Sequence, residues 1–287
     1  LRRVSDFIIQ DCDIVGGQYG IELWDGRNAD IIGNSIHGCQ RGISISVISN
    51  GRITANKIFG NNDGVVISGS SSLSSCLFTE NKIYGNNGRG VRLNEASWNN
   101  TFYSNEFGWN RGLLWPNAQD SGLNNTWDDG ISQGNLWDDY SGFGDYDLPG
   151  DADSIDRFPA LLIDEDVPSV DHPTDQQVEQ GDYTAWLVWT PVDEYPYEYD
   201  INVNGDLLGI GSWNGRQIRV PLGDLEVGSY NYSLRVYDAA EHMIQDSVIV
   251  QVSQPLFVFT ADPVLPIVAI GAVAVIVILL VFRKKWM

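Results

Sequence analysis

Five aspartates fall within twelve residues, at Asp145, Asp147, Asp151, Asp153 and Asp156, beside Gly144 and Gly150. Calcium takes about six to eight oxygen ligands, several of them carboxylates on a turning backbone. The stretch is therefore a candidate site for a structural calcium ion, with a solvated acidic turn as the competing reading. Two adjacent pairs, Asp128-Asp129 and Asp138-Asp139, are the candidates for acid and base. A glycosidase needs carboxyl groups roughly 5 to 9.5 Å apart across the scissile bond, whereas neighbours on a strand face opposite ways, so adjacency alone makes no dyad. Soft-metal chemistry would use His, Cys and Met. His37, His172, His242, Cys12, Cys39, Cys76 and Met243 form no cluster of ligand spacing and no CxxC pair, and the cysteines read as small buried apolar residues. Aromatic faces suit the stacking of sugar rings. Of Trp98, Trp109, Trp115, Trp127 and Trp137, Trp115 and Trp137 read as plugs at the end of a core, and Trp98 and Trp109 as candidate ligand-binding residues.

The elements that position these residues are repeats. The unit N-x-I/F, followed by a glycine and an apolar run, recurs from Cys12, Asn34, Asn56, Asn81 and Asn105, at spacings of 22, 22, 25 and 24 residues. The glycines Gly20, Gly42, Gly64, Gly90 and Gly112 keep nearly the same phase. So short a period, with alternating runs such as Ile43 to Val47 and no amphipathic helical pattern, predicts one coil of short strands per repeat. Coils of that kind bury apolar residues only by stacking. Asn34, Asn56, Asn81 and Asn105 then form a ladder of side-chain amides, and Asn and Gly are expected to supply the left-handed backbone of the corners.

The chain has 287 residues and a formal charge of -21. Before Pro263 it carries 14 basic against 38 acidic residues, which excludes a nucleic-acid partner, because phosphate binding needs a basic surface. From Val264 to Phe282 nineteen residues carry no charge, enough for a helix of roughly 28 Å and one membrane crossing. Arg283, Lys284 and Lys285 follow at once and place that end in the cytoplasm. The opening LRRVSDF has neither an initiator Met nor a leader, so the chain reads as truncated at its N-terminus, which leaves room for a signal peptide upstream. Asn99, Asn124 and Asn231 begin N-x-S/T sequons, in keeping with an exported surface.

Gly134-Asn135-Leu136-Trp137-Asp138-Asp139-Tyr140, closed by Asp156-Arg157-Phe158-Pro159-Ala160-Leu161, resembles the ending of NosD-type right-handed parallel β-helix proteins, also described as carbohydrate-binding and sugar-hydrolase repeats. The resemblance covers residues 1–161. It implies the fold, and it brings polysaccharide cleavage and delivery of copper or another cofactor into view as activities. The Asp-rich stretch departs from the family form D-x-D-G-D-G-I-G-D, keeping the spacing only in part. The set N-x-D, D-D, G-H-G and R-x-K of polygalacturonase-like enzymes is missing, with His37-Gly38 as half of one motif. A lyase would need a basic residue near a uronate, and Arg41, Arg89 and Arg92 are the candidates. Copper is not carried over, for want of a ligand cluster.

From about Val167 to Ser253 the pattern alternates with period two, interrupted by turns such as Asn204-Gly205, which predicts an antiparallel sandwich. Leu225 to Tyr232 resembles the tyrosine-corner stretch of immunoglobulin-like and fibronectin-like domains, with Trp189 as its core tryptophan. The expected organisation is all-β with one membrane helix: a parallel β-helix at 1–140, an Asp-rich cap and linker at 141–166, an Ig-like sandwich at 167–253, a stalk at 254–263, the transmembrane helix at 264–282 and a tail at 283–287. The expected role is non-catalytic, with a polysaccharide or a surface protein as partner, outside the cell and anchored in its membrane. An extracellular lyase or hydrolase is the alternative, and metal or cofactor delivery a second one.

Overall fold

In a computed structural model the described residues are 1, 3–69, 75–110 and 116–255. Their regular structure is all strand. The expected membrane helix, the tail, most of the stalk, Gly112 and Trp115 lie outside the described residues. Among those described, no helix is long and apolar enough to cross a membrane.

Three parallel sheets wind as a solenoid of about six turns. The first stacks Ser5–Gln10, Gly26–Ile32, Ile48–Thr54, Ser75–Thr79 and Thr101–Tyr103. The second runs from Asp13–Val15 through Ser35–His37, Lys57–Phe59, Lys82–Tyr84, Glu106–Gly108 and Leu136–Trp137 to Ala160–Leu161. The third stacks Tyr19–Leu23, Arg41–Ile45, Asp63–Ile67, Val91–Leu93 and Ala118–Asp120. Register is strict enough that like residues stack in columns, as with Ile14, Ile36, Ile58, Ile83, Phe107 and Trp137. The side chains from Ile36 to Trp137 in that column have no exposed surface. Toward the C-terminal end the columns turn aromatic. Phe78, Phe102 and Trp127 stack at 4.3 Å per step, and Phe107, Trp137 and Tyr146 at 4.5 and 4.1 Å, so wide rings close the core where coils end.

Buried amides fix the corners. Asn34, Asn56, Asn81 and Asn105 each donate through Nδ2 to Oδ1 of the next Asn, ending at Asn135. The same oxygens accept the backbone N–H of the previous coil's residue. The second Nδ2 hydrogen goes to a strand carbonyl, such as Ile31 O for Asn56 and Ile53 O for Asn81. Two further ladders run at other corners, Asn61 to Asn86 to Asn110 to Asn117, and Asn100 to Asn125. The three cysteines stand at the starts: Cys12, Cys39 and Cys76 each donate a backbone N–H to the first Asn of one ladder. Each ladder ends on a carboxylate, Asp156, Asp138 and Asp120 respectively. An Asn at that place would present an N–H with nothing beyond to receive it, whereas a carboxylate only accepts.

Two expectations about the corners need correction. At the ladder corner the left-handed residue is the one before the ladder position, at Asp11, Gly33, Ala55, Glu80 and Ser104, rather than the Asn itself, while glycine does supply that backbone at the next corner, at Gly38, Gly60 and Gly85. The glycines Gly20, Gly42 and Gly64 are required by close approach instead. A Cβ on any of them would meet the carbonyl oxygen of the next coil's glycine at 2.5–2.7 Å.

A second β unit follows. Gln176–Glu179, Met243–Ser253, Gly228–Asp238, Pro196–Val203 and Asp206–Ser212 form a five-stranded sheet, and Trp186–Trp189 pairs with Ile218–Pro221. The two enclose a core around Trp189, Leu187, Leu234 and Val250. Its first strand pairs parallel with Met243–Ser253, so the unit is mixed rather than purely antiparallel. Asn204 and Gly205 both have positive φ, as a type I′ hairpin requires.

Asn81→Ala leaves several buried groups without partners at about 1–3 kcal/mol each, so we expect a clear loss in thermal melting, while Gln10→Ala on an exposed strand face leaves the melt unchanged. Asp156→Asn, nearly isosteric, should also destabilise, because it turns one acceptor into a donor facing either Phe158 N–H or the Asn135 and Trp137 donors. A wild-type melt for both Asn81→Ala and Asp156→Asn would refute the ladder as a source of stability.

Candidate functional site

On the outer side of the third sheet an open cleft of about 420 Å³ is lined by Ser68, Arg92, Asn94, Glu95, Gln119 and Ser121, among others. Chain connectivity explains its position. Only two residues separate Leu23 from Gly26 and Ile45 from Ile48, but seven separate Ile67 from Ser75 and seven separate Leu93 from Thr101. Both longer connections leave the third sheet on the same edge, and each contributes to the cleft. Insertions that gather on one face of a solenoid commonly make its binding face. Arg92 is the cation of the cleft, and its Nε is buried without a hydrogen-bond partner. Trp98 lies in the second of these connections, half-buried, bridged to Leu123 of the next coil.

The other sequence candidates are held in structural contacts. Trp109 is half-buried and packs edge-on against Tyr195 of the second unit at 5.0 Å. Asp128 is held by Arg157, whose Nε donates at 2.8 Å, and this pairing keeps its carboxyl below the usual carboxylate range. Asp129 accepts the backbone N–H groups of Gln133, Ser132 and Ile131, which likewise lowers it. Asp138 closes the second ladder, with burial raising its carboxyl, and Asp139 accepts from the Tyr146 hydroxyl at 3.0 Å. A general acid would need a free, protonated carboxyl, which neither member of the Asp128-Asp129 pair offers.

The Asp-rich turn does not assemble as a cage. Asp145, Asp147, Asp151 and Asp153 are exposed, and among the described residues no three of the five bring carboxylate oxygens within 4.8 Å of one another. Asp156 is buried and accepts from Asn135, Trp137 and Phe158, with burial raising its carboxyl.

One face of the solenoid is covered. His37, Phe59 and Tyr84 point outward from successive strands of the second sheet, stacked at 4.9 and 5.2 Å. Phe59 and Tyr84 pack with Leu162, Tyr195 and Ala239. Around them Lys82 bridges Glu106 and Glu194 at 2.7 and 2.6 Å, Tyr195 donates to Glu106, and Asp13 accepts from Asn214. Sequence reasoning missed this contact. Its signal was an aromatic at the same outward position in SIH, KIF and KIY.

Residues 1–142 match the family model described as periplasmic copper-binding protein (NosD). They form a NosD-like β-helix. No curated protein matches the chain. Among solved structures, the chain is similar to fibronectin(III)-like modules of Clostridium thermocellum CbhA, at 18% identity over 31% of this chain and 98% of that one, with a TM-score of 0.24. The described residues of the NosD-like β-helix do not fit copper. Cys12, Cys39 and Cys76 start three different ladders, burial pushes the Cys76 thiol up to about 12 and raises that of Cys39, and His37 sits between Asp13 and Ser212.

A folded-state pKa below the unfolded one means that Asp128 stabilises the fold above about pH 4 and loses that contribution as pH falls through its lowered value. Asp128→Asn should therefore melt below the wild type at pH 7, and the gap should narrow steadily below about pH 4. A gap independent of pH would show that the clamp is not electrostatic.

Proposed function

We propose that the NosD-like β-helix is an extracytoplasmic binding module that takes an anionic polysaccharide in the cleft around Arg92, without cleaving it. The observation that carries this reading is the cleft itself: two lengthened connections on one edge, with a buried guanidinium nitrogen left unpaired. On a chain of such negative charge, a cation turned into a cleft selects for carboxylate or sulfate groups on a ligand, and Arg meets these with paired hydrogen bonds. Trp98, in the same connection, would add a stacking surface for a sugar ring. Non-cleavage rests on the occupation of Asp128, Asp129, Asp138 and Asp139 in turns, ladder ends and pairs. The family description as periplasmic supports a place outside the cytoplasm. The uncharged run 264–282 followed by Arg283-Lys284-Lys285 supports a single-pass anchor with the β-helix outside. The exposed Asp145–Asp153 turn lines none of the cleft, so a calcium ion at that turn would be structural and apart from this binding.

Retention on alginate or pectate, with neutral dextran as control and release of reducing or unsaturated ends followed in parallel, tests the reading. The wild type should be retained on the acidic polymers alone and release nothing. Losing a charge-assisted contact of about 1.5–3 kcal/mol should make Arg92→Ala bind roughly tenfold or more weakly, with an unchanged melt. Release of ends would favour an enzyme, and equal retention on dextran would remove the role given to Arg92.

A further inference from the structure

A cluster outside the cleft joins the linker to the second unit. Asp164 lies just beyond the last solenoid strand, Asp238 ends the strand Gly228–Asp238, and His242 stands in the turn that follows it. One ligand atom from each of Asp164, Asp238 and His242 lies within 4.8 Å of the others. This is not the exposed acidic spacing of the Asp-rich turn. It contains an imidazole, it draws on two segments far apart in sequence, and it is partly enclosed.

Asp238 has no exposed surface. Its carboxylate accepts the His242 backbone N–H at 2.8 Å and faces His242 Nδ1 at 2.8 Å, which sets the ring in place. Asp164 Oδ2 is buried with no hydrogen-bond partner. A carboxylate oxygen sealed from water and unpaired, beside a second buried carboxylate, is costly, and a bound cation would relieve that cost while keeping the group ionised. Both arms are fixed beforehand. Leu162, two residues before Asp164, packs with Phe59, Tyr84, Tyr195 and Ala239, and Ala239 N–H donates to Tyr195 O next to Asp238.

We propose that Asp164, Asp238 and His242 bind a divalent metal of the zinc class, which fastens the linker after the solenoid to a hairpin of the second unit. Two carboxylates and one imidazole are a donor set that zinc accepts, with a fourth position left for water. Calcium prefers more ligands, all of them oxygen, and the set has no sulfur for soft copper. The site is independent of the Arg92 cleft, so either can fail alone.

The test is calorimetric titration of the chelator-stripped full chain in detergent with Zn²⁺ and, separately, Ca²⁺, with thermal melts at each end point. We expect one Zn²⁺ per chain, weaker or absent Ca²⁺ binding, and a melt that rises with Zn²⁺. Asp164→Asn and His242→Ala should each weaken Zn²⁺ at least about tenfold. Asp164 is the decisive variant, because it lies in the linker and its loss does not empty a core position as that of Asp238 would. Asp147→Asn should change nothing. Absence of Zn²⁺ binding in the wild type, its persistence in both variants, or its loss in Asp147→Asn would overturn the proposal, the last by moving the metal to the Asp-rich turn.

Discussion

An amide side chain buried at a coil corner has two N–H donors and an oxygen to satisfy, and water cannot reach it. In this protein the next coil supplies the answer: each Asn gives one hydrogen to the Asn above it and the other to a strand carbonyl, and receives the backbone and side-chain donors of the coil below. The arrangement has a direction. Every ladder passes hydrogens toward the C-terminal end, so the last member must accept without donating, and in all three ladders it is an aspartate. The tryptophans follow from the same need. Trp127 and Trp137 fill the end of the apolar columns, and their indole N–H groups donate to Asp120 and Asp156, so one carboxylate serves both the amide ladder and the plug.

That solution limits the chemistry left over. The carboxylates that looked available for acid and base work are consumed in closing ladders, holding Arg157 or shaping turns. The second sheet is covered by the second β unit through an aromatic column and a ring of ion pairs. Lys82 carries both effects at once: burial disfavours its charge, but Glu106 and Glu194 more than compensate and raise it, as expected of a pair held at a partly dry contact. The outer side of the third sheet, where Arg92 sits, is left uncovered by the second unit.

The repeat was legible because two registers, Asn and Gly, recur together, and stacking forces any such register into a column. The ladder members Asn34, Asn56, Asn81 and Asn105 were readable for the same reason, and Trp137 as a plug because it follows the last repeat. The ladders through Asn61 and Asn100 were harder to read. Their members stand beside other asparagines, as in Asn61-Asn62 and Asn99-Asn100, and sequence alone does not say which of two neighbours points inward. The role of Asp156 as ladder terminator was not legible, because composition places it among exposed aspartates, while its position, one coil beyond Asn135, sets it at the end of the amide ladder. The pairing of Asp164 with Asp238 and His242 had no local signal, since it depends on how the linker packs against a turn more than 70 residues further along the chain.

A solenoid whose every coil obeys the same hydrogen-bond rule has little freedom in its strands or ladder corners. Variation must enter where the rule does not apply, in the connections between sheets. The first two coils close the third sheet to the first with two residues, and the next two use seven. Some of the added residues serve stacking, Asn100 in its ladder and Ser97 through its bond to Ile67 O, while Asn94 and Glu95 are exposed and line the cleft, and ordering them costs conformational entropy. Lengthening in consecutive coils, on one edge, beside the cleft that holds Arg92, is therefore the departure from the minimal repeat that leaves room for the binding function proposed above.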